Sequence, residues 1–469
     1  MAVDDACALT MTCPPQVYRR RRTTLGANIQ RPMLVCAGYA QARNYIGNDH
    51  YYRAGSTYLY LGGPPLQGSA WIIEPGNDGQ DGCRLIRPTT SPDDVVWFGS
   101  VPADDAMASA AGIDPVNLDE PSRLQDLLGG RTAGVIAPPC VRTHAWTAAA
   151  DVEAPRPDEI MALVEQRLFK DEHELAAMRR AASVTVEAHQ AAMAATRPGR
   201  GEADVAAAFM AVLVARQCQP SFSPIATVNG QVLHPNGYQH PLQPGRLLLV
   251  DAGAEEPGGY ACDATRTFPV EGKWSAVQRQ LYDTVLRAQR ESIAACVPGR
   301  RFRDVHDLAG RVICQGLVEA GLLRGDPADL AGRYAHTLFF VHGLGHLIGL
   351  DVHDMEDFGD LAGYAAGRKR RPEFGNKFLR LDRDLQPGMT VTIEPGIYLV
   401  PAIWQRDDLV GPFKDVINRP AIDALLEQQF GGIRIEEVVC IRQDGGPEVL
   451  TADLPNQADA VVKRVGCHA

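Results

Sequence analysis

Long apolar runs are missing from this chain: no stretch approaches the roughly 20 consecutive apolar residues that cross a bilayer. The N-terminus, MAVDDACALT, lacks the basic start and apolar core of a secretion signal. The 11 cysteines, scattered from Cys7 to Cys467, contain no C-x-x-C pair, and an odd, unpatterned set argues against a disulfide framework. A surplus of positive charge is absent too. The formal net charge is −11, and the basic runs Arg19–Arg22 and Arg368–Arg371 are short and isolated, so a nucleic-acid backbone is excluded as the expected partner. These absences lead to the expectation of a soluble, reduced, cytoplasmic protein with no membrane and no nucleic acid among its partners. What is present is ordinary for a globular chain. Its 469 residues are 45% hydrophobic and 22% charged, enough for two domains and a large core.

Residues 1 to about 155 are rich in Gly and Pro, with short apolar runs such as STYLYLGG, SAWIIEPG and DDVVWFG. They predict a smaller N-terminal α/β domain, 1–155. Two prolines two apart in EAPRPDE mark a hinge, after which 156–469 predicts an α+β domain. Residues 171–196 read as a long alanine-rich helix with an acidic first turn, 275–295 as a helix opened by the capping-box spacing of Ser275 and Gln278, and 303–323 as a third. Strand candidates are 246–256 and 260–270, facing each other across PGG as a hairpin, then 389–400 and 431–441.

The stretch HGLGHLIGLDVHD, 342–354, holds three histidines. His342 and His346 have the spacing of a helical zinc pair, yet the glutamate of H-E-x-x-H is missing and Gly343, Gly345 and Gly349 make a poor helix. A zinc clip, part of a larger metal site and a polar loop all remain open on this stretch alone. The strand candidates carry acids where burial is expected. Asp251 ends the run LLLV; Asp263 and Thr265, two apart, share one strand face. Glu394 precedes Pro395, and Arg434 and Glu436 point away from Ile433 and Ile435. A carboxylate in a core costs several kcal/mol unless paired. Each acid alone could pair with an arginine, but four on four sheet-like segments, with one imidazole, could hold two divalent cations. Oxygen-rich ligation suits hard or borderline ions such as manganese, and paired metals support hydrolysis.

VDAG, CDATRTFP, HGLGHLIGLDVHD, TIEPGIY and GGIRIEE, in this order, resemble the signature blocks of the pita-bread metallopeptidases, the family of methionine aminopeptidase, aminopeptidase P, prolidase and creatinase. The resemblance continues through VEQRLFKDEHELAAMR, and more weakly in YYRAGSTYLYLGG. It implies a C-terminal pita-bread catalytic domain behind the smaller α/β domain. It implies that Asp251, Asp263, His346, Glu394 and Glu436 bind two divalent metal ions, with manganese expected, around a bridging hydroxide. Glu394 would also shuttle a proton, His353 and His234 would be catalytic, and His342 would line the proline pocket. The family's habit implies a homodimer.

Length argues against methionine aminopeptidase, and the complete acidic set against creatinase and against a non-enzymatic binding protein. FLRLDRDLQPGMTVTIEPGIY resembles the prolidase pattern, in which Arg380 would bind the free carboxylate of an Xaa-Pro dipeptide and Arg434 would support the pocket. The expectation is therefore a prolidase, with aminopeptidase P, acting on longer peptides with proline in second position, as the alternative. Three departures bear on activity: Pro235 after His234 and Phe222, where related sequences carry tyrosine, and an Asp251-to-Asp263 spacing one residue longer than usual, which predicts a bulge or longer turn.

Overall fold

The computed structural model describes residue 9, residues 11–76 and residues 82–467. Most of the N-terminal decapeptide read for a secretion signal, including Cys7, lies outside them. Among the described residues, every cysteine is a free thiol, and no helix is long and apolar enough to cross a membrane. The chain divides into two compact units, Met1–Arg167 and Leu168–Ala469. The helix after the proline pair, Pro157–Arg167, falls within the first.

The first unit is built on a mixed sheet of β1 (Met33–Cys36), β2 (Ala70–Ile73), β3 (Cys83–Ile86), β4 (Leu118–Asp119), β5 (Ala133–Ile136) and β6 (Val152–Glu153), in the order β4-β3-β2-β1-β5-β6. β1 runs antiparallel to β2 and parallel to β5. It is a continuous apolar run, buried at every position, as a central strand covered on both faces must be. Leu34, Ile72, Ile86, Leu124 and Leu128 form the core on one side.

The second unit is α+β. Its strands are β7 (Gln219–Pro220), β8 (Ile225–Thr227), β9 (Leu247–Asp251), β10 (Ala254–Glu255), β11 (Thr265–Pro269), β12 (Thr390–Ile393), β13 (Gly396–Tyr398), β14 (Gly432–Arg434), β15 (Glu437–Cys440) and β16 (Glu448–Val449). They form the sheets β11-β9-β8, β12-β15-β16 and β13-β14, with a small β10-β7 pair. The helix Glu172–Ala195 starts where Asp171 accepts from the N–H groups of His173 and Glu174, while Glu174 reaches back to the Asp171 N–H. Its small Ala188 and Ala192 pack with Phe209 from the helix Glu202–Ala215 and with Leu248, Val250 and Phe268 of the sheet. The helix Ala276–Ala294 opens on the Ser275–Gln278 capping box, and Phe302–Glu319 follows it.

Candidate metal centre

β9 and β11 pair antiparallel with Asp251 opposite Thr265. The same register continues outward through Ala252 N–H to Ala264, Cys262 N–H to Ala254 and Glu256 N–H to Tyr260. The hairpin is therefore unbroken to its tip, and the long Asp251–Asp263 spacing is taken up in the turn, with no bulge between the two acids. Alternation puts Asp251, Thr265 and Asp263 on one face. β12 pairs with β15 and β13 with β14 in one shared register, Ile393 opposite Glu437 and Gly396 opposite Arg434. Glu394 and Glu436 thus fall opposite each other where Pro395 and Ile435 interrupt the strands. The two hairpins are stitched together where the Glu436 N–H donates to the Thr265 carbonyl at 3.1 Å.

The histidine stretch is not a helix. It runs beside β12: the Thr392 N–H donates to the His346 carbonyl at 3.0 Å, the Glu394 N–H to the Leu344 carbonyl at 2.8 Å, and Leu347 bridges Val391. Glycine is required here, because a Cβ on Gly345 would lie 1.9 Å from the Thr392 carbonyl oxygen. His346 Nδ1 lies 2.9 Å from the Leu347 carbonyl oxygen, which only an N–H can satisfy. Its Nε2 faces the acids, 3.6 Å from Asp263 Oδ2 and 3.7 Å from Glu394 Oε1. Those separations exceed a hydrogen bond and leave room for a cation.

One ligand atom each from Asp263, His346 and Glu436 lies within 4.8 Å of the others. Buried oxygens on Asp251 (Oδ1), Asp263 (Oδ1) and Glu436 (Oε1) have no hydrogen-bond partner. Burial, reinforced by Asp251, holds the Asp263 carboxyl well above its ordinary range; burial, reinforced by Asp263 and Glu394, does the same to Glu436. Burial also pushes Glu394 up to about 7. Crowded, unpartnered carboxylate oxygens facing the outward ring nitrogen of an imidazole are a donor set that fits divalent cations.

Arg434 is the buried countercharge. It donates to Asp251 Oδ2, to Thr265 Oγ1 at 3.1 Å and to the Tyr398 hydroxyl at 2.9 Å. The Thr265 hydroxyl in turn donates to Glu436 Oε2 at 2.6 Å. The Tyr398 hydroxyl is 2.8 Å from His342 Nε2, and His342 Nδ1 is 2.7 Å from the Gly343 carbonyl. His342 is thereby held neutral; burial first, then Arg434, pushes its pKa down to about 3.

These residues open onto a cavity of about 750 Å³, which Phe222, His234, Pro235, His353, Phe378 and Arg380 also line. His234 is exposed at its rim. The rings of His353 and His346 are 4.4 Å apart. Arg380 Nη1 donates to His353 Nδ1 at 3.1 Å and is also held by Glu356. The structure therefore brings all ten of the candidate site residues drawn from the sequence to one cavity: Asp251, Asp263, His346, Glu394, Glu436, His342, His353, His234, Arg380 and Arg434. Sequence reasoning missed Tyr398 and Glu356. Tyr398 had a signal, since it lies four residues after Glu394 on the same alternation; Glu356 had none.

Strand-borne acids and one imidazole converging on a cavity in an α+β unit define a class: a metal-dependent hydrolase with the pita-bread fold. Comparison with known proteins agrees. The model of "Metallopeptidase family M24" matches residues 176–443, and that of "Aminopeptidase P, N-terminal domain" matches residues 18–136. The chain belongs to metallopeptidase family M24. Xaa-Pro aminopeptidase of Escherichia coli (strain K12) is 29% identical over 468 residues, covering 95% of this chain and 96% of its own. A probable Xaa-Pro aminopeptidase of Aspergillus fumigatus is 30% identical over 426 residues, 86% of each chain. The structure of zinc-substituted E. coli aminopeptidase P in complex with product matches with a TM-score of 0.79 at 27% identity, over 97% of this chain and 99% of that one. These relatives carry the aminopeptidase name, so the comparisons favour the alternative drawn from the sequence over the prolidase expectation.

Proposed function

We propose that this protein is an Xaa-Pro aminopeptidase, removing one residue from the N-terminus of peptides with proline in second position. Asp251, Asp263, His346, Glu394 and Glu436 would hold two divalent metal ions, with manganese the ion we expect from the oxygen-rich donors. When bound, the ions lower the pKa of a water and polarise the scissile carbonyl.

The chain's own residues supply the rest. Arg434 and Thr265 hold Asp251 and Glu436 in place. Glu394, with Oε2 3.7 Å from His342 Nδ1 and Oε1 3.7 Å from His346 Nε2, carries a proton from the attacking water to the proline nitrogen as it leaves. His353 accepts from Arg380 at Nδ1, so its proton sits on Nε2, ready to donate to the oxygen on which charge develops. His234, at the rim, contacts the substrate. Proline's amide nitrogen carries no hydrogen, so a pocket that offers it no acceptor selects for it.

The observation that carries the choice of aminopeptidase over dipeptidase is the state of Arg380. A dipeptidase needs a cation free to meet the substrate's carboxylate, and this guanidinium is already engaged by Glu356. The test is a paired assay on manganese-loaded protein with a chelated control, using Ala-Pro-Ala and Ala-Pro. Cleavage of the longer peptide, with little of the dipeptide, is the expected result. Cleavage of Ala-Pro alone would restore the prolidase reading. Elemental analysis should find two metal equivalents per chain; none would point to a binding module. A homodimer, expected from the family's habit, is checked by light scattering.

A further inference from the structure

Glu356 and Arg380 lie 24 residues apart, at the two ends of an excursion from the histidine stretch to β12. The Arg380 end is clamped. A Cβ on Gly363 would lie 2.2 Å from the Arg380 carbonyl oxygen. The neighbouring Leu379 carbonyl accepts from the Tyr364 hydroxyl at 2.7 Å and from Arg370 at 2.9 Å. The Glu356 end follows Met355, whose backbone is left-handed at φ 63°. The backbone that carries Arg380 is therefore fixed beside the cavity, and its guanidinium is held there by Glu356 and His353.

Arg380 stands between two spaces. It lines the large cavity with His353, and it also lines a small polar one of about 60 Å³ shared with Glu356, Asp354 and Arg370. Glu356 borders only the small one, so it reaches Arg380 from behind, outside the space that substrate enters. One of its oxygens is buried without a hydrogen-bond partner.

Resting on the aminopeptidase reading above, we infer that Glu356 is a specificity-determining residue: it neutralises Arg380 and so withholds from Xaa-Pro dipeptides the carboxylate anchor that the same arginine would otherwise provide. A longer peptide presents a neutral amide at that place and loses nothing, whereas a dipeptide must bury its terminal carboxylate against an ion pair of no net charge.

The experiment compares kcat/KM for Ala-Pro and Ala-Pro-Ala in the manganese-loaded wild type, Glu356→Gln, Glu356→Ala and the double variant Glu356→Gln/Arg380→Met. It also measures inhibition of tripeptide cleavage by Ala-Pro. Freeing one charge-assisted anchor should raise the dipeptide-to-tripeptide ratio about tenfold or more in both single variants. Ala-Pro should inhibit more tightly in parallel, and the double variant should lose the gain. An unchanged ratio with tripeptide cleavage intact overturns the inference, as does a gain that survives loss of Arg380. Folded single variants that cleave neither peptide also overturn it, since Glu356 would then act on the chemistry through His353. A wild type that cleaves neither substrate overturns the aminopeptidase reading itself, and the inference with it.

Discussion

Metal-free protein should grow less stable as pH rises from 5 to 8, the reverse of a protein held by salt-bridged carboxylates. Asp263, Glu394 and Glu436 all have their ionisation pushed upward by burial, Glu394 from 4.5 to about 7. A carboxyl whose folded pKa lies above its unfolded one binds more protons in the native state through the interval between the two. The slope of unfolding free energy with pH is then negative, so stability is full below the unfolded pKa and is lost as pH rises through the folded one. For Glu394 alone the loss is about 3 kcal/mol, complete a little above pH 7. Asp263 and Glu436 act in the same direction. Urea denaturation of chelated protein at pH 5, 6, 7 and 8 reads this directly, with Glu394→Gln as the reference for every other titrating group. The wild type should lose about 2.5 kcal/mol relative to that variant across the range. Added manganese should restore it, most strongly at pH 8, where protons compete least. Parallel pH profiles for wild type and variant would show that these carboxyls are not crowded as described.

Other perturbations have equally definite outcomes. Arg434→Lys keeps the charge but cannot serve Asp251, Thr265 and Tyr398 together; metal affinity by calorimetry should fall at least tenfold. Gly345→Ala drives a methyl group against the Thr392 carbonyl and should cost about 3 kcal/mol or more in thermal or urea melts, with loss of metal as His346 is displaced. Lys170 donates to Asp354 Oδ2 at 3.0 Å with both side chains 1% exposed. Lys170→Met should cost about 3–5 kcal/mol, and Lys170→Met/Asp354→Leu should recover most of it, measured as a double-mutant cycle.

What was legible in the sequence was local. An acidic first turn after position 171 and the capping-box spacing at Ser275 marked helices that begin there. The two-residue period of Asp263 and Thr265, and of Arg434 and Glu436, gave the face each side chain takes. Cross-strand relations were not legible, because register is a long-range property. Nothing near Glu394 says that Glu436, 42 positions later, lies opposite it. The histidine stretch gave only the negative reading that glycines forbid a helix; that it lies along β12 depends on Thr392 and Val391, which are remote in sequence. The prolidase expectation, over which the comparisons favour the aminopeptidase alternative, was local in the same way. It rested on the local pattern around Arg380, whereas what an arginine can bind depends on which acid already faces it, and Glu356 lies beyond a 23-residue excursion.

The two faces of the central strands explain how so costly a cluster keeps its geometry. Thr265 and Glu436 turn toward the acid cluster, so their neighbours Arg266 and Glu437 turn the other way. There Arg266, fully buried, donates to Glu437 and to the carbonyls of Glu436 (2.8 Å), Leu454 (2.8 Å) and Pro455 (2.7 Å). A shift of one residue in either hairpin would invert both faces, pointing Arg266 into the acids and Glu436 into the helices. The reverse-face ion pair and the front-face cluster therefore demand the same register, one from each side. That shared demand lets four carboxylates and a single guanidinium remain together in the core until cations balance them.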